Sequence, residues 1–297
     1  MTPVNMLGRC LAVATLISSL ALVGGCKTYE SGVSATTTSG SAADASVTLD
    51  AAMEVWNERG TKEGLQRAID AFSAVIAADP TNQDAMIMAA RAQYFMADAY
   101  TESPEDKSTL FNLARDLGER AMLADAEYKA RIDKGEKPAN AVTALQKDDQ
   151  MAIYWTASAL GKWARLQGFS TLVKYKGYVA GMMEHCLALD ETAFHSGPIR
   201  YWATYYAVAP GFAGGDMAKS KEWYEKSIKM NPEYLATYVL FAEAYGRKAQ
   251  DKELFKKNLQ YVLDADVNAT PELTPEHVVE QKKAKKLLDN IDEYFAE

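Results

Sequence analysis

Few residues in this chain have the side chains and spacing that covalent chemistry needs. The three histidines are His185, His195 and His277, and none has a histidine, cysteine or carboxylate at the spacing typical of a metal site. His185 is followed by Cys186, but a thiol nucleophile and its base must be adjacent in space rather than in sequence. We therefore expect no catalytic residues, no metal and no cofactor, and predict that the protein is not an enzyme.

A glycine-rich stretch, GFAGGD at 211–216, invites comparison with a phosphate-binding loop. It lacks the Gly-Lys-Ser/Thr ending of such loops, and no strand is predicted before it. We instead predict a tight turn after Pro210, with Asp216 as the N-cap of the next helix. The backbone N–H groups of such a turn are an alternative site for a carboxylate.

Four large rings lie close together in HSGPIRYWATYYAVAP, residues 195–210. Tyr201 and Tyr205 form one i, i+4 pair, and Trp202 and Tyr206 form another. The rings face more than one side of a short helix. They either pack between helices or line a cavity in which a tyrosine hydroxyl orients an amphipathic ligand.

The first 25 residues carry one charge, Arg9, and a 13-residue apolar run that is too short to span a bilayer. The run ends in Val23-Gly24-Gly25-Cys26, which resembles the lipobox of bacterial lipoproteins. We predict that residues 1–25 are a signal peptide and that Cys26 becomes the N-terminus, bearing acyl chains such as palmitate that anchor it in the bilayer. An ordinary secreted protein is the alternative.

Residues 27–46 are rich in Ser, Thr, Ala and Gly, so residues 26–46 are predicted to be a lipidated cysteine and a flexible tether. The formal charge of −8 becomes −9 once Arg9 is removed, which argues against a nucleic-acid partner. Loss of Cys10 and acylation of Cys26 leave Cys186 without a disulfide partner. Stability must then come from the core.

Residues 47–297 show apolar residues at three- and four-residue steps, which predicts an all-α domain. Residues 68–82 contain a small residue, an aromatic residue, an apolar residue and Asp-Pro at the spacing of the second helix of a tetratricopeptide repeat. The same spacing recurs in four later segments, whose first residues are Ala114, Val179, Ser220 and Phe255. We predict a superhelical array of degenerate helix pairs, with partner helices at 84–100, 151–166 and 235–249. The segment 101–108 is predicted to be an insertion, and a helix starting near Thr274, with Thr274 as its capping residue, is predicted to cap the array.

These features together, above all SGPIRYWATYYAVAPGFAGGDMAKSKEWYEKSIKMNP at 196–232, resemble the T component of TRAP transporters, the TatT family. The likeness extends over roughly residues 50–265 and includes YWTASALGKWARL at 154–166. The positions that match the family pattern are Trp155, Tyr201, Tyr205, Pro210, Gly214, Gly215 and Asp216.

The resemblance implies a periplasmic lipoprotein whose helices surround an internal pore. It also implies docking to the periplasmic solute-binding protein of the transporter, a hydrophobic or amphipathic small organic acid as ligand, and assembly as a homotrimer. By the same resemblance, Trp155, Tyr201 and Tyr205 are expected to line the cavity, and Gly214–Asp216 to shape its mouth. Lys27 after the cysteine favours the outer membrane. A tetratricopeptide scaffold lipoprotein that assembles envelope complexes is the competing interpretation.

Overall fold

The computed structural model describes residues 47–295. The predicted signal peptide at 1–25, the lipidated Cys26 and the tether lie outside the described residues. No helix in the described part is both long enough and apolar enough to cross a membrane.

The described residues form helices and connecting turns without a strand, which confirms the all-α fold. The α-helices, in chain order, are α1 (Leu49–Trp56), α2 (Lys62–Ala78), α3 (Gln83–Ala99), α4 (Pro104–Met122), α5 (Ala126–Asp133), α6 (Pro138–Ala141), α7 (Gln150–Leu166), α8 (Phe169–Leu189), α9 (Ala193–Val208), α10 (Met217–Met230), α11 (Leu235–Leu240), α12 (Arg247–Ala249), α13 (Lys252–Asp264) and α14 (Thr274–Asp289). A π-helical turn, Phe241–Gly246, joins α11 to α12 into one rod that covers the predicted 235–249 helix.

Side-chain caps fix where many of the helices begin. At each start a short polar side chain accepts a hydrogen bond from a backbone N–H of the first turn, which satisfies a donor that has no partner within the helix. These caps are Thr48, Thr61, Asn82, Ser103, Asp125, Asp216 and Asp251. Ser103 followed by Pro104 starts α4 inside the segment 101–108 that is predicted to be an insertion, so residues 104–108 belong to a helix.

Small residues let neighbouring helices approach closely, as the repeat spacing predicted. Gly118 of α4 faces Thr156 of α7, and a Cβ on Gly118 would lie 2.1 Å from the Thr156 hydroxyl oxygen. The helices from α1 to α8 bury one apolar core, rich in alanine and methionine. A second core joins α11, α13 and α14 around Phe255 and Leu259.

The start of α9, just after the link from α8, is strained. Phe194, His195 and Ser196 have φ angles of 45°, 54° and 59°, in the left-handed region that non-glycine residues rarely adopt. Arg200 holds this turn by donating to the carbonyl oxygens of Phe194, at 3.2 Å, and of His195. These hydrogen bonds hold the three residues in their unfavourable backbone conformation.

The last helix does more than cover the end of the array. It packs on α13 and α11, in agreement with its predicted capping role. Near its start, Glu276 also pairs with Arg59, in the α1–α2 turn, at 3.0 Å, and so joins the last helix to the first pair. Thr274 is not the capping residue that we predicted, since it is the first residue of α14 and its hydroxyl donates to the Val267 carbonyl at 3.0 Å.

Candidate functional site

The glycine-rich stretch forms the predicted turn between α9 and α10. The Gly215 N–H donates to the Pro210 carbonyl at 3.0 Å, and Gly214 has a φ of 95°, which suits glycine. Asp216 accepts from the Lys219 N–H at 3.0 Å, as an N-cap should. A Cβ on Gly215 would lie 1.9 Å from the Ala209 carbonyl oxygen, so only glycine fits there.

The aromatic ladder of α9 leads into this turn. The Tyr201 and Tyr205 rings stack at 6.3 Å, and Trp202 lies edge-on to both at 5.3 and 5.2 Å. The Tyr205 hydroxyl donates to the Ala213 carbonyl at 2.5 Å, which fastens the ladder to the turn. Burial raises the pKa of Tyr201 above its ordinary value, so its hydroxyl keeps its proton.

Trp155 lies in a different group of rings. Its neighbours are Phe194 at 4.7 Å, Tyr154 at 5.2 Å and Tyr94 at 5.4 Å. Within residues 47–295, no ring contact joins Trp155 to Tyr201 or Tyr205. The structure thus brings Tyr201, Tyr205 and Gly214–Asp216 together and places Trp155 elsewhere.

Arg91 of α3 is the cation at the centre of the Trp155 group, and the sequence did not single it out. Its guanidinium lies 5.0 Å from the Trp56 ring centroid, 5.2 Å from that of Phe194 and 5.9 Å from that of Trp155. It also pairs with Glu276 at 3.1 Å. Burial lowers the pKa of Arg91 from its ordinary value, and Glu276 opposes that effect.

Glu276 is shared, because Arg59 also pairs with it. Arg59 donates further to the Glu272 carbonyl and lies 4.6 Å from the Trp56 ring centroid. Two guanidinium groups and one carboxylate leave one positive charge in excess beside the rings. We call Arg59, Arg91 and Glu276, with Trp56, Trp155 and Phe194, the arginine–ring cluster.

A second charged group, which we call the Asp98 cluster, follows about two turns further along α3 and one to two turns further along α14. Asp98 pairs with Lys283 at 2.5 Å and with Lys162 of α7 at 3.1 Å. Lys283 also pairs with Glu280 at 2.8 Å. These contacts bridge three helices that are far apart in sequence.

The pKa values in this cluster move in opposite directions. Burial alone would raise the pKa of Asp98, but the two lysines outweigh it and hold that pKa well below its ordinary value. Burial would lower the pKa of Lys283, yet Asp98 and Glu280 keep it well above the ordinary value. Burial dominates at Glu280 and raises its pKa, because Lys283 is shared with Asp98.

The side chains of the Asp98 cluster are partly exposed, yet burial affects their pKa values. Asp98 and Lys162 keep exposed fractions of 21% and 45%, while burial still contributes to both pKa shifts. Tyr94 is only partly buried, and burial raises its pKa to about 12.

The sequence held a partial signal for these residues. Arg91, Tyr94 and Asp98 lie at i, i+3 and i+7 and share one face of α3, and Glu276, Glu280 and Lys283 share one face of α14 in the same way. The pattern does not reveal that these two helix faces contact each other, because Asp98 and Lys283 are 185 residues apart in the sequence.

Cys186 and His185 do not form a catalytic pair. The His185 Nε2 atom lies 2.9 Å from the Leu145 carbonyl, whereas the Cys186 thiol faces the Gln150 carbonyl at 3.6 Å. Burial raises the pKa of the Cys186 thiol to about 12, so it is not a thiolate at neutral pH.

Comparison with known proteins agrees with this architecture. No curated protein matches the chain. The family model of the TRAP transporter T-component matches residues 61–295, which is most of the chain and nearly all of its described part. This chain therefore belongs to the TRAP transporter T-component family.

Proposed function

We propose that this protein is a lipid-anchored periplasmic component of a TRAP-type transport system. In this proposal it binds a hydrophobic or amphipathic organic acid between its helices and docks the solute-binding protein of the same system. Membership of the T-component family supports a role beside such a transporter. Binding and docking require no covalent step.

The observation that carries the ligand proposal is the arginine–ring cluster. A small organic acid needs an apolar surface for its tail and a positive charge for its carboxylate. Arg91 lies within 6 Å of three rings, and with Arg59 it leaves one uncompensated positive charge. Of the predicted ligand-binding residues, Trp155 belongs to this cluster.

Tyr201, Tyr205 and Gly214–Asp216 have a different part in this proposal. They form the far end of α9, whose strained start delivers Phe194 to the cluster. The Trp202 indole N–H beside them is buried without a hydrogen-bond partner. We propose that this end of α9 shapes the mouth of the ligand space and that Trp202 orients a polar group of the ligand.

Ligand binding is tested first on the full-length chain purified in detergent. Native mass spectrometry should detect a retained fatty acid, and calorimetry should detect binding of decanoate to the stripped protein. Arg91→Met should weaken decanoate at least tenfold and change decanol binding little, since decanol lacks the charge. Arg67→Met, at an exposed arginine that pairs with Glu58, is the matched control.

A clean apo mass without decanoate binding would reject an acid ligand. If the same preparation bound extended peptides tightly, the competing scaffold function would take its place. Melting temperatures of both arginine variants separate loss of binding from loss of folding.

An exposed apolar surface supports the docking proposal. Phe169 and Phe212 are 77% and 94% exposed, and Val173 and Val208 are more than half exposed. Lys176 donates to the Ala213 carbonyl at 2.8 Å, which holds the Phe212 turn beside α8. Exposed apolar patches of this kind are typical of protein contact surfaces.

Docking is tested with the double variant Phe169→Ser, Phe212→Ser. It should lose co-purification with the solute-binding protein of the same system, whereas Met53→Ser, at an exposed methionine of α1, should retain it. Unchanged co-purification of the double variant would show that the solute-binding protein contacts a different surface. Light scattering of the same samples tests the proposed homotrimer, which this surface is also suited to form.

Anchoring depends on Cys26, outside the described residues. Cys26→Ser should move the protein from the membrane fraction to the soluble periplasmic fraction. Retention in the membrane fraction would contradict a lipid anchor. Sucrose-gradient separation of inner and outer membranes tests the outer-membrane location that Lys27 favours.

A further inference from the structure

A cavity of about 400 Å³ lies beside the first turn of α14. Its walls come from the α10–α11 loop, the end of α13, the α13–α14 loop and the first turn of α14. We call it the acidic pocket. Glu276 and His277 are consecutive, so their side chains diverge by about 100° around α14.

The acidic pocket carries three carboxylates, Glu233, Asp264 and Asp266, and no lysine or arginine lines it. Asp264 and Asp266 have no ion pair within residues 47–295 and accept only neutral donors, the Gln260 amide and the Asn268 N–H. Their charges are therefore uncompensated.

Glu233 has one basic neighbour, His195, whose Nδ1 atom lies 3.6 Å from its Oε1 atom. Burial, together with Arg200, lowers the pKa of His195, so that Glu233 has a mostly neutral partner at pH 7. The negative charge of the pocket is then close to three.

His277 supplies an observation that is independent of these charges. Its side chain lines the pocket and is only 3% exposed, and neither ring nitrogen makes a hydrogen bond of good geometry, although the Val267 carbonyl is close enough to act as a weak acceptor for one of them. Burial lowers its pKa, although the nearby Val267 carbonyl and Glu276 oppose the shift, so the ring is neutral and offers one donor and one acceptor. A buried polar group without a hydrogen bond of good geometry needs an explanation, and a bound ligand provides one.

Tyr261 completes the wall. One face of its ring stacks on Tyr238 with centroids 4.3 Å apart, and the side chain is 46% exposed. An aromatic ring beside carboxylates is the usual environment of an organic ammonium or guanidinium group.

We propose that the acidic pocket binds an organic cation that carries an ammonium or guanidinium group. The carboxylates of Glu233, Asp264 and Asp266 accept its N–H groups, Tyr261 packs against its carbon chain, and the free acceptor nitrogen of His277 takes one further N–H. The volume is that of a small-molecule site. The cation is either a free amine or an arginine or lysine side chain of a partner.

Calorimetry of the full-length chain in detergent tests this proposal with two probes, agmatine and the peptide Gly-Arg-Gly. Binding of either supports a cation site, and the tighter of the two identifies its source. Asp264→Asn, Asp266→Asn should weaken binding at least tenfold, because asparagine keeps the local hydrogen bonds and loses the charge. Glu222→Gln, Glu225→Gln removes equal charge from the exposed face of α10 and should change little.

His277→Phe separates a ligand contact from a structural role. A planar ring of somewhat larger size is kept and both nitrogens are removed, so the melting temperature without ligand should change little while agmatine affinity falls at least fivefold. A lower melting temperature with unchanged affinity would overturn the assignment. The assignment would also be overturned if neither agmatine nor the peptide bound at millimolar concentration, or if the α10 control variant weakened binding as much as the Asp264→Asn, Asp266→Asn variant. Decanoate binding, measured in parallel, reports on the interior site alone.

Discussion

The turn at 210–216 and the Asp98 cluster differ in how far apart their partners lie along the chain. In the turn, Tyr205 bonds to Ala213 and Asp216 caps its own helix, so the hydrogen bonds that shape it are local, and Lys176 of α8 adds one longer-range bond to the Ala213 carbonyl. In the cluster, Asp98 meets Lys162 and Lys283, which are 64 and 185 residues away. Local geometry is therefore set by residue type, whereas the charged interior exists only once α3, α7 and α14 have come together.

If this contrast holds, the largest loss of stability should come from the long-range contacts. Asp98→Asn leaves two crowded ammonium groups without their shared carboxylate, and we expect a loss of roughly 3 kcal/mol in the free energy of unfolding. That figure lies at the low end for buried pairs because Lys162 is 45% exposed. Denaturant unfolding measures it.

Asp289→Asn is the control for that change, since Asp289 pairs with Lys285 on the exposed side of α14. It should alter stability by less than about 0.5 kcal/mol. Equal effects of the two substitutions would mean that the Asp98 cluster behaves as an ordinary surface network.

The turn should be the next most sensitive place. Gly215→Ala forces a methyl group against the Ala209 carbonyl, and we expect a loss of about 1–3 kcal/mol. Gly211→Ala in the same turn meets open space and should be close to neutral. Thermal unfolding compares the pair, and a neutral Gly215→Ala would show that the turn has room to relax.

Within the Asp98 cluster, the two carboxylates should respond to pH in opposite ways. The pKa of Glu280 is raised on folding, so its contribution to stability is greatest below its unfolded pKa and declines as pH rises towards the folded value. Glu280→Gln should therefore gain melting temperature relative to wild type between pH 4 and pH 7. The pKa of Asp98 is lowered, so its stabilisation is complete at neutral pH and is lost only on acidification below about pH 4. A Glu280→Gln difference that stays constant with pH would contradict the raised pKa.

The smallest effect on folding is expected at the exposed apolar surface. Phe212→Ser should change the free energy of unfolding by less than about 0.5 kcal/mol, because the ring is 94% exposed. A larger loss would mean that Phe212 packs within the protein in solution. The same urea titration used for Asp98→Asn measures it.

Much of the helical order was predictable because its causes are local. Apolar spacing located most helices from α2 to α14 but not α5 or α6, proline and aspartate placed the 210–216 turn, and Tyr201–Tyr205 stacking followed from i, i+4 spacing. At 104–108 the repeat spacing left the local structure open, and Ser103 and Pro104 mark the helix start that the structure shows there. The roles assigned to Trp155, Tyr201, Tyr205 and Gly214–Asp216 stay predictions.

By itself, the sequence determined an all-α chain of the TRAP transporter T-component family, since helix periodicity, caps and turns depend on neighbours within a few residues. Only the tertiary structure decided that Arg59 and Arg91 share Glu276, that Lys162 and Lys283 share Asp98, and that His277 is buried without a hydrogen bond of good geometry. The physical reason is that charge pairing acts through space. Which acidic and basic side chains meet is settled when the side chains of α14 reach those of the α1–α2 turn and of α3.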